Sequence, residues 1–309
     1  MSKIPVWIDC DTGVDDAAAI LTAGQLEKIE IVGISAVAGN VPLEKTTKNC
    51  ICVSDLMGRD YPVYAGASRP WIRPYEDASS VHGNSGLGGA VLPEPSKAPE
   101  KEKAWEAIYR EAVKRSGELE LVATGPLTNV ANALTLYPDL KDHLKRILIM
   151  GGAASGGNVT PCAEYNILTD PDAAQAVFRS GVKVYMFGLD VTEKAYVTRK
   201  ELEEINEYGS PVTTFFHDSV EPRISWYEEL GFPGSCLHDV CPLLYLEHPE
   251  IFRTEEAGVF VETQSELTLG KTVTDLFSDH QFEEKNAVVA LDIDRDAFIK
   301  YMFEALKKY

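Results

Sequence analysis

The stretch IPVWIDCDTGVDDAAAI, residues 4–20, changes its hydrophobic rhythm half-way along. Ile4–Ile8 is a short, apolar, β-rich run, whereas Asp15–Glu27 has apolar residues at helical spacing. The polar turn between them carries Asp9, Asp11, Asp15 and Asp16, four aspartates within eight residues. A strand feeding a helix through a tight polar turn is the opening unit of a parallel α/β sheet.

The same alternation continues outward. Strands are predicted at Ile31–Ala38, Pro62–Ala65, Leu119–Ala123, Ile147–Met150 and Val182–Phe187, with helices at Leu43–Met57, Lys101–Arg115, after Pro126 and at Pro171–Arg179. These strands are short and continuously apolar, the signature of a sheet covered on both faces. From Thr198 to Glu247 the pattern is mainly helical. Phe260–Thr263, Leu267–Leu269 and Ala287–Ile293 then form a late strand group before a helix at Asp294–Lys307. The expected fold class is α/β, an open, mostly parallel sheet flanked by helices and Rossmann-like. With no linker, repeat or low-complexity tract, residues 1–309 are expected to form a single domain.

Composition narrows the partners. The 309 residues carry 48 acidic and 29 basic side chains, a net charge of −19. That field disfavours nucleic acid polymers and anionic membranes and favours neutral small molecules or metal cations. No run approaches the roughly 20 apolar residues of a membrane span. The six cysteines include no CxxC pair, and the N-terminus turns acidic too early for a signal peptide. A cytoplasmic protein is expected.

In open parallel sheets, ligands bind beyond the carboxyl ends of the strands. The segments at those positions are DCDTGVDD, GN (Gly39-Asn40), TGPLTN and GGAASGGNVTPCAEYN. Asp15 and Asp16 could simply occupy the first turn of a helix, each gaining roughly 0.3–1 kcal/mol from its dipole. That does not account for Asp9 and Asp11 at the end of an apolar strand, whereas a hard divalent cation with oxygen ligands does. His82, in the glycine-rich VHGNSGLGG, reads as a loop residue and is either a site residue or an ordinary loop histidine. Asp239, after His238 in CLHDVCPLLYL, reads alone as a helix-capping residue. Asn158, Glu164 and Asn166 fall within nine residues of irregular chain.

Taken in order, six fragments resemble the calcium-dependent nucleoside hydrolases, the inosine-uridine-preferring family. They are DxDxGxDD (Asp9, Asp11, Gly13, Asp15, Asp16), AGN at Ala38–Asn40, HGNSGLGG at His82–Gly89, ATGPLTN at Ala123–Asn129, GGNVTPCAEYNILTDPDAA at Gly156–Ala174, and HDVCPL at His238–Leu243. The resemblance implies the nucleoside hydrolase fold and cleavage of the N-glycosidic bond of ribonucleosides to free base and ribose. It implies Ca²⁺ bound by the carboxylates of Asp11, Asp16 and Asp239 and the carbonyl of Thr124, with Asp11 also the general base. Asp15, Asn40, Asn166 and Asp239 would hold the ribose hydroxyls, Asn158 and Glu164 the 5′-hydroxyl, and Met150 would lie beside the sugar. His238 and His82 would assist departure of the base, as in the branch acting on pyrimidine nucleosides and inosine. The resemblance further implies a homodimer or homotetramer.

A strand ending in DxD also opens the haloacid-dehalogenase-like phosphatases, but those have no use for ribose-site asparagines. Hydrolysis of a modified nucleoside and silent ribonucleoside binding on the same fold are the remaining alternatives.

Overall fold

The computed structural model describes residues 3–277, 279 and 281–309. Strands β1 (Ile4–Cys10), β2 (Ile29–Ala36), β3 (Val63–Ala65), β4 (Leu119–Ala123), β5 (Leu144–Met150) and β6 (Val184–Phe187) come first. β7 (Tyr196–Val197), β8 (Ser235–Cys236), β9 (Phe252–Val261), β10 (Thr272–Asp275) and β11 (Ala287–Ile293) follow. The helices are α1 (Val14–Ala23), α2 (Leu43–Leu56), α3 (Ser79–His82), α4 (Ala104–Arg115), α5 (Thr128–Leu136), α6 (Tyr165–Thr169), α7 (Pro171–Phe178), α8 (Leu189–Thr192), α9 (Arg199–Asn206), α10 (Pro211–Glu229), α11 (Val240–Tyr245) and α12 (Arg295–Leu306).

Among the described residues, nine strands form one sheet in the order β10-β9-β11-β6-β5-β4-β1-β2-β3, with β7 and β8 paired apart from it. The seven strands from β11 to β3 run parallel, and β9 pairs antiparallel to both β10 and β11. The expected open, mostly parallel α/β sheet is therefore present. Its faces alternate along each strand. Val6 and Ile8 join Val122 and Leu148 against α1, α10, α11 and α12, while Trp7 joins Leu121 and Ile149 against α4, α5 and α7. Both faces are covered, which is why the strands read as unbroken apolar runs.

Differences from expectation lie at element ends and at one expected strand that is absent. β1 continues through Asp9 and Cys10, because Asp9 pairs in register with Ser35 on one side and Ala123 on the other. Sheet pairing there overrides the poor strand propensity of aspartate. Leu267–Leu269 is not a strand but part of a turn. The Glu262 carboxylate accepts from the Gln264 and Ser265 amides, and Gly270, at φ +75°, closes the loop, so the strand begins at Thr272.

The chain lays β2 and β3 to one side of β1, then β4, β5 and β6 to the other. The order therefore reverses between β1 and β4, and a crevice opens there beyond their carboxyl ends. The residues following those two strands are Asp11 and Thr124.

Candidate active site

The turn between β1 and α1 is wound around its own carboxylates. The Gly13 amide donates to Asp16 Oδ2 at 2.8 Å, so Asp16 caps its helix. It also accepts from Thr124 Oγ1 at 2.8 Å and Asn40 Nδ2 at 3.2 Å, tying α1 to the ends of β4 and β2. Asp9, Asp11, Asp15 and Asp16 are all buried, unlike carboxylates that merely cap a solvated helix. Asp9 faces away from the crevice lining, accepting from Ser35 Oγ and from Asn129 Nδ2.

Asp11 Oδ2 accepts from the Asn40 amide at 2.7 Å. Backbone closes in on it from two sides. A Cβ on Gly39 would come 2.0 Å from Asp11 Oδ2, and one on Gly125 would come 2.8 Å from Oδ1. Gly39→Ala is therefore expected to push the Asp11 carboxylate aside. A displacement of this kind costs on the order of 100-fold in kcat, which steady-state kinetics would read beside an unchanged circular dichroism spectrum.

The loop after β5 builds the facing wall. Asn166 Nδ2 donates to the carbonyls of Thr124 at 2.8 Å and Met150 at 3.0 Å. A carbonyl has two lone pairs, so Thr124 keeps one for another ligand. Glu164 accepts from the amides of Gly152, Asn166 and Ile167, and burial nonetheless pushes its carboxyl up to about 7. Asn158 Oδ1 accepts from the Tyr165 amide at 3.0 Å, which orients its NH₂ group.

These residues line one cleft of about 420 Å³, together with Asp15, His82, His238 and Asp239. Asp16 lies just behind its surface. Carboxylate oxygens of Asp15, Asp16 and Asp239 come within 4.8 Å of one another, close enough to hold a metal ion. Asp11, expected among the ligands, is not in that trio but adjoins it through the repulsion of Asp16. Burial, followed by the neighbouring carboxylates, raises Asp11 and Asp239 well above the usual carboxylate range and Asp16 to about 7. An oxygen-ligated dication fits a donor set of this kind.

The profile of the family described as inosine-uridine preferring nucleoside hydrolase matches residues 6–300. The chain belongs to this family. It is 41% identical to the pyrimidine-specific ribonucleoside hydrolase RihA of Escherichia coli over 309 residues, 99% of each chain, and 42% identical to that of Salmonella schwarzengrund with the same coverage. Among solved structures it superposes on a purine-preferring ribonucleoside hydrolase from Gardnerella vaginalis with a TM-score of 0.93, 32% identity and 98% coverage of each chain. A plant nucleoside hydrolase gives 0.91 at 27% identity, covering 99% of each chain.

This nucleoside hydrolase is thus an enzyme acting on a small-molecule nucleoside, and among its described residues no helix is long and apolar enough to cross a membrane. Its two cleft histidines are shifted strongly by their surroundings. Burial, then the charge of Arg223, pushes His82 down to about 3. Burial also takes His238 down to about 4; Asp15 partly offsets this and Arg223 adds to it. Both are therefore neutral at neutral pH. His238 is bonded at both nitrogens, to Thr192 Oγ1 at 2.8 Å and Tyr227 at 3.1 Å.

The hydrolase cleft also holds residues to which the motifs gave no role. Arg223, Trp226 and Tyr227 of α10 form one side of it, and Tyr165 and Asp77 approach from elsewhere. Arg223 Nη1 donates to Asp15 Oδ1 across 208 positions of sequence. No local pattern marks such a partner. The single cation among acidic neighbours in EPRISWYEEL was the available signal.

Proposed function

We propose that this nucleoside hydrolase is Ca²⁺-dependent and cleaves pyrimidine ribonucleosides, with inosine as a secondary substrate, releasing the base and ribose. The observation that carries this reading is the single cleft in which buried aspartates face an Asn158, Glu164 and Asn166 wall. The pyrimidine preference is supported by the RihA relatives at 41–42% identity, against 32% for the purine-preferring structure.

Ca²⁺ would be held by Asp11, Asp16 and Asp239 with the free lone pair of the Thr124 carbonyl, and when bound it acidifies and orients a water. Asp11 would take the proton from the attacking water as general base. Asp15, Asn40, Asn166 and Asp239 hydrogen-bond the ribose hydroxyls, Asn158 and Glu164 hold the 5′-hydroxyl, and Met150 packs beside the sugar. Positive charge grows on the ribose as the bond breaks. Carboxylates and amide oxygens fixed in a buried site stabilise that charge as it forms, which favours the transition state over the ground state. His82, neutral in this cleft, serves as a hydrogen-bond partner of the departing base, and His238, bonded at both nitrogens to Thr192 and Tyr227, joins it by exchanging the Tyr227 contact.

We further propose that residues 1–309 act as one domain, in the cytoplasm, as a homodimer or homotetramer. The six cysteines, all free and five of them buried, suit a reducing compartment, and exposed Ile72, Val91 and Leu267 offer apolar surface for association.

Reducing-sugar release from uridine, cytidine, inosine and adenosine in the presence of calcium tests the reading. Release is expected from uridine and cytidine first. Silence on all four would overturn it and turn the search to modified nucleosides or to a binding role.

A further inference from the structure

Arg223 is the one strong cation built into the cleft lining among the described residues, and it is only 4% exposed. Nη1 donates to Asp15 Oδ1 at 3.2 Å, and Nη2 donates to the Tyr227 hydroxyl at 3.1 Å. A guanidinium carries five N–H donors in a planar fork. Two are used, and Nε is buried with no partner among the described residues. Burying a cation with spare donors is costly unless something else satisfies them. Asp15 is one of the groups assigned above to the ribose, while Trp226 and Tyr227 offer aromatic surface on the same helix. Arg223 therefore stands where sugar meets base. Beyond it a second cleft of about 310 Å³ opens, sharing Ser80, Val81, Arg223 and Trp226 with the first.

The geometry points to Arg223 as the residue that selects and activates the leaving base, by receiving a carbonyl oxygen adjacent to the glycosidic nitrogen. This rests on the function proposed above. The C1′–N bond breaks with its electron pair going to the base nitrogen and spreading onto that oxygen. Water oxygen forms the new bond to C1′, its proton passes to the Asp11 carboxylate, and the released base anion takes a proton from solvent. A guanidinium is charged at every working pH, so this stabilisation needs no proton from a cleft histidine. The substrate class selected is the 2-oxopyrimidine nucleosides. Adenosine has no oxygen next to its glycosidic nitrogen and gains nothing from the same contact.

The test compares uridine with p-nitrophenyl β-D-riboside, which has the same sugar and a leaving group that departs readily unaided. With calcium present, Arg223→Gln is expected to lower kcat/KM for uridine on the order of 100-fold, the scale of a lost oxyanion donor. The loss on the nitrophenyl riboside is expected to be less than about tenfold. Arg223→Lys, which keeps the charge but loses the fork, should fall between wild type and Gln on uridine. If Arg223→Gln does not fold, the uridine-to-riboside ratio of Arg223→Lys decides the same point. Equal losses on both substrates would place the effect on the sugar through Asp15 and overturn the inference. A wild type inactive on both substrates would overturn the hydrolysis reading instead.

Discussion

Asp11→Asn is expected to lower kcat by roughly 10²–10⁴-fold, the range for losing a general base, while the metal-free protein melts at the same temperature or higher. The replacement is nearly isosteric, and its side-chain oxygen can still accept from the Asn40 amide that now meets Asp11 Oδ2 at 2.7 Å. What disappears is a buried charge. Burial and then Asp16 raise the Asp11 carboxyl well above its usual range. The folded state thus binds that proton more tightly than the unfolded chain does. The associated stability is present at low pH and is lost as pH rises through the folded value. A neutral amide escapes that loss at neutral pH. Thermal melts and sugar release on one preparation separate the two effects, and a parallel collapse of folding and turnover would refute Asp11 as the base.

Chelation of divalent metal is expected to abolish turnover and to lower the melting temperature by about 5–10 °C, with Ca²⁺ restoring both. A ligand at 100 times its Kd stabilises by about 2.7 kcal/mol. For a chain of this size each kcal/mol moves the transition by roughly 2–4 °C. Protons compete for the same oxygens. Asp16 is raised to about 7 from its ordinary 3.8, and Asp239 is likewise raised well above the usual carboxylate range, by burial and by like charge. The contribution of Asp16 to metal-free stability is therefore fully present below about 3.8 and is lost as pH rises through about 7. Metal adds most above that point, and the concentration needed for half the effect should rise as pH falls from 8 to 6. Differential scanning calorimetry with and without chelator reads all of this; an indifferent melting curve together with undiminished turnover would remove the metal from the account.

Much of this was legible in the chain because local signals agreed. LELVA and AVVALDI became β4 and β11 at the predicted residues, since each is an apolar run bounded by polar breakers. The cleft residues carried by glycine-rich loops after strands were legible too, because a parallel sheet delivers all those loops to one edge. What stayed hidden depended on distant partners. β1 runs through Asp9 only because β2 and β4 flank it. The leucines at 267 and 269 resembled a strand, yet a turn held by Glu262 claims them. Arg223 sits on a helix with Pro222 in its interior and meets Asp15 only once α10 has packed against α1. The depressed histidines could not be foreseen, because their shifts arise from burial and from that same guanidinium.

The position of β11 has a consequence for how the molecule is made. β11, residues 287–293, lies between β6 and β9, parallel to one and antiparallel to the other. A nascent chain leaves the ribosome from its N-terminus, so the β9–β10 hairpin emerges before the strand that will join it to the rest. Until residue 293 is free, the open side of β6 and one side of that hairpin both present unsatisfied backbone, the template on which chains aggregate. The two parts of the sheet meet at a keystone strand and not at a rim, so a message cut short before that strand would release a product with two raw edges.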